Sequence, residues 1–143
     1  MIKTAIVDSG PLLAAANSAD AEHARCLAEL KNPRYHLVIA ALCVAEVAYF
    51  LAQRQGPAAE ARFLRALENF DVQAPRAEEW AQIAHYVDKY RDLPLGAADA
   101  SVVVLAERYA TDLVLSLDRR HMLLVRPRHC DRLRVLPEPL PLT

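Results

Sequence analysis

An apolar run near the start of the chain leads directly into an acid and a turn, in the order Thr4-Ala5-Ile6-Val7-Asp8-Ser9-Gly10-Pro11. Three of the first four residues are β-branched, which favours a short, buried strand of a parallel sheet. The turn offers Ser9 as a candidate N-cap and Pro11 as a residue suited to the first turn of a helix. The segment therefore predicts a strand, a tight turn and a helix, with Asp8 at the carboxyl end of the strand.

The same pattern of short apolar runs and longer helical segments continues along the chain. We predict strands at 4–7, 37–39, 113–117 and 134–136, and helices at 21–31, 42–55, 57–69, 76–90 and 96–109. Strands that alternate with helices indicate an α/β fold with a largely parallel sheet. No internal repeat or linker interrupts the pattern, so the 143 residues are expected to form one domain, 1–143, with a proline-rich tail at 136–143.

The composition excludes several classes of protein. Hydrophobic residues are 54% of the chain and charged residues 24%, which is atypical of a disordered chain. The apolar runs are too short to cross a membrane and a strand-like segment follows Met1 directly, so we expect neither a membrane span nor a signal peptide. Cys26, Cys43 and Cys130 show neither disulfide nor zinc spacing, and a reducing cytoplasm is the expected compartment.

Four acids occupy unusual places in this pattern. Asp8 and Asp118 each follow the carboxyl end of a predicted strand, and ligands of open α/β sheets bind along that edge. Glu46 and Asp99 each fall on the apolar stripe of a predicted helix, because apolar residues lie three and four positions away. A carboxylate buried without a partner is costly or has a raised pKa, so each acid needs a compensating charge.

Two kinds of compensation fit these acids. Taken one at a time, each is explained by an arginine partner or by helix capping. Taken together, four carboxylates in one cleft repel each other unless a divalent cation lies between them, and oxygen ligands select Mg²⁺ or Mn²⁺. Histidines are expected to be solvated, because they are scattered without zinc spacing; they are His23, His36, His85, His121 and His129. The predicted site is thus made of carboxylates alone.

Positive charge is concentrated near the carboxyl terminus. Between Arg119 and Arg134 there are six arginines and a single acid, Asp131, although the net charge of the whole chain is −1. This segment begins directly after Asp118, so part of it is expected to border the acidic cleft and to attract phosphates. A solvated surface coated with arginines explains the same residues equally well.

Four segments of the chain resemble the PIN domain family and occur in the family's order. They are Ala5-Ile6-Val7-Asp8-Ser9-Gly10-Pro11-Leu12-Leu13-Ala14, Val44-Ala45-Glu46-Val47, Asp92-Leu93-Pro94-Leu95-Gly96-Ala97-Ala98-Asp99-Ala100-Ser101 and Leu115-Ser116-Leu117-Asp118-Arg119-Arg120-His121. The third and fourth segments are the more specific. Size and composition are most similar to the toxins of bacterial VapBC-type toxin–antitoxin pairs. All four acidic positions are filled, and serine stands at positions 9 and 116 where threonine would be equally familiar.

The resemblance implies a three-layer α/β/α sandwich around a mainly parallel sheet, and an endoribonuclease that depends on Mg²⁺ or Mn²⁺. The residues that would hold the ion and carry catalysis are Asp8, Glu46, Asp99 and Asp118. The ion would acidify a water molecule that attacks an RNA phosphodiester, and would neutralise the charge that develops. The hydroxyls of Ser9 and Ser116 would orient these carboxylates.

The resemblance also implies partners. The arginines expected to contact RNA phosphates are Arg119, Arg120, Arg126 and Arg128. The helices predicted at 42–55 and 57–69 carry more apolar residues than one face of a sheet buries, among them Phe63 and Leu64. A homodimer and a groove for an antitoxin protein are therefore expected on this surface, although ordinary core packing accounts for most of the same residues.

Two other functions remain open from the sequence alone. A metal-dependent phosphatase on a doubly wound sheet would also place an acid after the first strand, but Asp8-Ser9-Gly10 lacks a second aspartate two places on. A non-catalytic binding module with this fold would not need four intact acids, which are costly to bury. Titration with Mn²⁺ separates the binding module from the two enzymes, and a small phosphate ester tested beside single-stranded RNA separates the phosphatase from the nuclease.

Overall fold

A parallel sheet of five strands forms the centre of the molecule. The structure is a computed structural model that describes residues 2–139. The strands are β1 (Lys3–Val7), β2 (Tyr35–Ala40), β3 (Asp71–Gln73), β4 (Leu113–Leu115) and β5 (Arg134–Leu136). They lie in the order β3-β2-β1-β4-β5, and every neighbouring pair is parallel. The strand order reverses beside β1, so β1 and β4 border the crevice in which open α/β sheets bind ligands.

Helices connect the strands and cover both faces of the sheet. They are α1 (Ser9–Ala15), α2 (His23–Leu30), α3 (Ala41–Gln55), α4 (Pro57–Ala66), α5 (Trp80–Lys89), α6 (Ala97–Arg108) and α7 (Arg119–Leu124). Short 3-10 turns follow α4 at Leu67–Asn69 and precede α5 at Ala77–Glu79. Within the part of the chain that the structure describes, none of the helices is long and apolar enough to cross a membrane.

Successive residues of each strand point to two separate cores, as the alternation of a strand requires. Ile6 and its β4 partner Val114 face one core, which α5, α6 and α7 cover. Val7 and its β4 partner Leu115 face the other, which α1, α3 and α4 cover. The strands are buried on both faces, which explains why they read as continuous apolar runs in the sequence. The expected three-layer α/β/α sandwich with a parallel sheet is confirmed.

The structure contains two elements that the sequence pattern does not predict, β3 and α7. The three residues of β3 include one apolar side chain, Val72, and are half-buried, so neither alternation nor a continuous apolar run marks them. The helix α7 is short and begins with two arginines, so the sequence pattern does not mark it, although Asp118 caps its N-terminus. The strand β4 ends at Leu115, two residues earlier than predicted, and Leu117 beyond it is exposed.

The carboxyl-terminal segment is less separate from the core than expected. The last strand, β5, has the predicted bounds 134–136, so Leu136, at which the proline-rich tail of 136–143 is predicted to begin, belongs to the sheet and is 5% exposed. Pro137 is also buried, whereas Glu138 and Pro139 are exposed. The rest of the expected tail, 140–143, lies outside the described residues.

Candidate functional site

Asp8 is buried and firmly held at the carboxyl end of β1. Its carboxylate accepts hydrogen bonds from Ser9 N at 2.8 Å, Ser116 Oγ at 2.7 Å and Cys43 Sγ at 3.5 Å. Asp8 is the N-cap of α1, not Ser9 as the turn pattern suggests, because the aspartate oxygen accepts from the first N–H of the helix. Burial raises the pKa of Asp8 in spite of these hydrogen bonds.

Ser116 connects two of the acids. This fully buried residue donates from Oγ to Asp8 Oδ2 at 2.7 Å and accepts from Asp118 N at 3.0 Å. A single hydroxyl therefore fixes the carboxylate of Asp8 relative to the backbone of Asp118. Ser9 Oγ is also buried but has no hydrogen-bond partner among the described residues, so it is free to bond a ligand or a water molecule.

Asp99 lies in the first turn of α6, within range of the charge of Asp8. It is half-buried, and Gly96 N donates to its Oδ2 at 3.4 Å. Burial, and then the negative charge of Asp8, raise the pKa of Asp99 to about 6. Asp118 and Glu46 add to this rise. The charges of the other three predicted acids therefore all act on Asp99, and the fold brings together side chains that are far apart in the sequence.

Asp118 lies against a histidine. Its Oδ1 accepts from His121 N at 3.3 Å, and its Oδ2 is 2.7 Å from His121 Nδ1. One ligand atom each from Asp99, Asp118 and His121 lie within 4.8 Å of one another. The expectation that every histidine is scattered and solvated is wrong for His121, whose side chain is 20% exposed. An imidazole ring therefore lies beside the predicted carboxylates.

Glu46 lies at the edge of this cluster of acids. It is exposed, whereas Cys43 and Val47 form the buried face of α3. The predicted core-facing stripe through Glu46 is wrong, because an apolar neighbour on which it depends, Tyr49, is itself 61% exposed. The negative charge of Glu46 contributes to the raised pKa of Asp8, which places this carboxylate at the rim of the same cleft.

Among the residues that the structure describes, none of the four acids has a lysine or arginine partner. Within residues 2–139, every lysine or arginine nitrogen that lies within 4.0 Å of a carboxylate contacts some other acid. The nitrogen nearest to one of these carboxylates is His121 Nδ1, at 2.7 Å from Asp118 Oδ2. Separate arginine partners therefore do not explain these acids. Carboxylate oxygens suit a divalent cation such as Mg²⁺ or Mn²⁺, so the residues present fit such an ion.

Arg119 and Arg120 are the arginines nearest the cluster in sequence. Arg119 Nη1 donates to Val135 O at 2.6 Å and to Pro137 O at 3.2 Å, so its guanidinium is engaged with the backbone that surrounds β5. Arg120 follows Asp118 by two residues and is exposed. Of the two, Arg120 is better placed to contact a phosphate in solution.

The rest of the arginine-rich segment leads away from the cluster. Arg128 donates from its backbone N to Glu107 at 2.8 Å and from its guanidinium to Gln82. Glu107 lies eight residues beyond Asp99 along α6, a distance of roughly 12 Å. Arg128 therefore lies away from the four acids, as an outer position in the segment. Arg126 is exposed between these two regions.

An apolar groove of about 410 Å³ lies between α1, α2 and α4. Its lining includes Leu12, Leu27, Leu30, Phe63, Leu67 and Phe70. Phe63 is 8% exposed and belongs to the core, whereas Leu64 on the same helix is 46% exposed. The helices thus bury part of the apolar surface that the sequence assigned to partners and leave part of it open.

Known proteins are similar to this chain in sequence and in fold. The family model of the PIN domain matches residues 5–125, which include all four acids. Ribonuclease VapC26 of Mycobacterium tuberculosis (strain ATCC 25618 / H37Rv) is 39% identical over 134 residues, which span 92% of this chain and 99% of that protein. The crystal structure of Mycobacterium tuberculosis VapC20, described as a sarcin–ricin loop cleaving toxin, matches with a TM-score of 0.72 and 16% identity over 81% of this chain and 92% of that one. The chain belongs to the PIN domain family, and its relatives there include VapC-type ribonucleases.

Proposed function

We propose that this protein is an endoribonuclease that hydrolyses RNA phosphodiester bonds with the help of Mg²⁺ or Mn²⁺ and is the toxin of a toxin–antitoxin pair. The observation that carries the proposal is the set of mutually repelling carboxylates of Asp8, Glu46, Asp99 and Asp118, which no described lysine or arginine neutralises. The kinship with a VapC-type ribonuclease supports the same activity.

Each side chain of the cluster has a distinct part in this proposal. Asp99 and Asp118 would hold the ion, since their oxygens are already close to one another. Asp8 is held by hydrogen bonds from Ser116 and Cys43 and would add negative charge to the site. The exposed Glu46 would supply a further ligand at the rim. When bound, such a cation would supply positive charge against the scissile phosphate and would lower the pKa of a water molecule, so that the water can lose a proton and attack the phosphorus.

An acidic cleft repels RNA, so binding must come from nearby positive charge. Arg120 is the best candidate for this role because it is exposed and lies two residues after Asp118. Arg119 would contribute chiefly by anchoring the start of α7 to β5 through Val135 O. Arg126 stands farther along the segment and would make an outer contact.

Protein partners form the second part of the proposal. The groove between α1, α2 and α4 is apolar and open, which suits an apolar segment of an antitoxin protein. Exposed apolar side chains such as Leu64 and Tyr49 favour a homodimer. The three cysteines are free thiols, which suits the reducing cytoplasm.

The decisive experiment compares RNA cleavage by the wild type, Asp99→Asn and Asp131→Asn. Asp131 is an exposed aspartate in the arginine-rich segment, so its variant controls for the loss of one charge. We expect Mg²⁺- or Mn²⁺-dependent cleavage of single-stranded RNA by the wild type and Asp131→Asn, and none by a folded Asp99→Asn. Hydrolysis of a small phosphate ester but not of RNA would favour the phosphatase, and the absence of metal binding would favour a non-catalytic module.

A further inference from the structure

The position of His121 is the feature of the cleft that the four acids do not explain. Its ring lies on the first turn of α7, and its Nδ1 is 2.7 Å from Asp118 Oδ2. Ligand atoms of His121, Asp99 and Asp118 fit within 4.8 Å of one another. Ligands of one divalent cation, bound at roughly 2.0–2.2 Å, are necessarily separated by no more than about 4.4 Å. The three side chains therefore form a cluster close to the size of one coordination sphere.

The hydrogen bonding of His121 leaves one ring nitrogen without a partner. Nδ1 is buried and makes no hydrogen bond of acceptable direction with any described residue, although Asp118 Oδ2 is close to it. Buried side-chain nitrogens and oxygens nearly always have a partner. An atom that sits beside a carboxylate oxygen without bonding to it is arranged like a second ligand of a shared cation.

We infer that His121 is a ligand of the same divalent cation as Asp99 and Asp118, and that it makes the site prefer Mn²⁺ to Mg²⁺. The inference rests on the proposed function, because the ion is the one that the nuclease would use. Its basis is a contact within this chain: the third residue of α7 is a histidine whose Nδ1 lies 2.7 Å from a carboxylate oxygen of the N-cap residue, Asp118.

The preference follows from the chemistry of the ligands. Mg²⁺ is bound almost entirely by oxygen atoms and keeps several water molecules, whereas imidazole suits transition metals. Replacing one oxygen ligand with a ring nitrogen therefore favours Mn²⁺ over Mg²⁺. Without the imidazole, Asp99 and Asp118 offer oxygen atoms alone, and the two ions should bind with more similar affinities.

The experiment uses Mn²⁺ as a paramagnetic probe of the purified full chain. The wild type is compared with His121→Ala, with His121→Phe, which keeps the bulk of the ring, and with His85→Ala, in which an exposed histidine of α5 is removed. Pulsed electron paramagnetic resonance reports whether a ¹⁴N nucleus is coupled to the bound Mn²⁺. Displacement of Mn²⁺ by Mg²⁺ gives the ratio of the two affinities.

We expect ¹⁴N coupling in the wild type and in His85→Ala, and its loss in both His121 variants. Affinity for Mn²⁺ should fall by at least about tenfold in the His121 variants, while affinity for Mg²⁺ changes much less. Wild-type Mn²⁺ without nitrogen coupling, or an equal loss of affinity for both ions, would overturn the assignment of His121 as a ligand. RNA cleavage by the same wild-type preparation would then still support the nuclease, and nitrogen coupling without any cleavage would tell against the nuclease alone.

Discussion

Replacing Asp99 with asparagine should stabilise the metal-free protein at neutral pH. The pKa of Asp99 rises from its ordinary value of 3.8 to about 6, so the folded chain binds more protons than the unfolded chain between these pH values. Stability therefore falls as pH rises through this interval and stays low above it. The full shift corresponds to about 3 kcal/mol at 1.36 kcal/mol per unit. Because Asp99 is only half-buried, solvent screening reduces the expected gain for Asp99→Asn to about 1–2 kcal/mol.

Urea denaturation with EDTA at pH 8 and pH 4, followed by circular dichroism, measures this gain. Asp99→Asn should exceed the wild type in free energy of unfolding at pH 8 and match it at pH 4, where the aspartate is already largely protonated. Asp131→Asn, at an exposed position, should change stability by no more than about 0.5 kcal/mol at either pH. An equal gain at both pH values would refute the reasoning, because charge repulsion would then not be its cause. Saturating Mg²⁺ should shrink the gain, since the ion stabilises the wild type preferentially.

Three further predictions concern other parts of the molecule. Ser116→Ala should lower the free energy of unfolding, measured by urea denaturation, by about 1.5–3 kcal/mol, because it removes a hydrogen bond to the buried Asp8. The control Ser101→Ala removes a buried hydroxyl that donates to a helix carbonyl and should cost about 1 kcal/mol or less. Equal losses in the two variants would contradict the role of Ser116. Arg120→Ala should weaken RNA binding and reduce the steepness of log affinity against log salt concentration by about 1, and Arg128→Ala should not. A slope for Arg120→Ala equal to that of the wild type would show that Arg120 does not contact RNA phosphates. The isolated chain should sediment as a dimer at micromolar concentration, and a clean monomer would count against the proposed homodimer.

The fold could be predicted largely from short-range patterns. Strands buried on both faces are continuous apolar runs, and Leu113–Leu115 or Val38–Ala40 are recognisable for that reason. The sequence pattern does not predict β3, because Asp71–Gln73 forms a strand by pairing with β2 and not through an apolar pattern of its own side chains. The start of α7 does carry a sequence signal, because Asp118 is a good N-cap residue and four apolar residues follow Arg119, Arg120 and His121. The positive charge of the same segment is equally typical of a solvated surface, so the pattern alone does not decide between the two.

The candidate site was predicted less evenly than the fold. Asp8 and Asp118 could be predicted because each follows the carboxyl end of a strand, and the carboxyl ends of parallel strands lie along the same edge of the sheet. Glu46 was placed wrongly on the buried face, because α3 carries exposed apolar side chains such as Tyr49 that imitate a core stripe. His121 was missed because a lone histidine has no spacing signal. What brings it to Asp99 is the order of the strands, which sets β4, the strand before Asp118, beside β1, against which α6 packs.

The electrostatics of the cleft place stability and activity in conflict, and the hydrogen bonds show how the chain accommodates this. Asp8, the most buried acid, receives three hydrogen bonds, which favour its charged form and oppose the effect of burial. Asp99 receives one long hydrogen bond and keeps a pKa of about 6. Three other carboxylates, those of Asp8, Asp118 and Glu46, raise the pKa of Asp99, so charge repulsion is concentrated there. A cation that enters beside Asp99 and Asp118 relieves this repulsion, so the affinity of the site and the instability of the metal-free protein arise from the same charges.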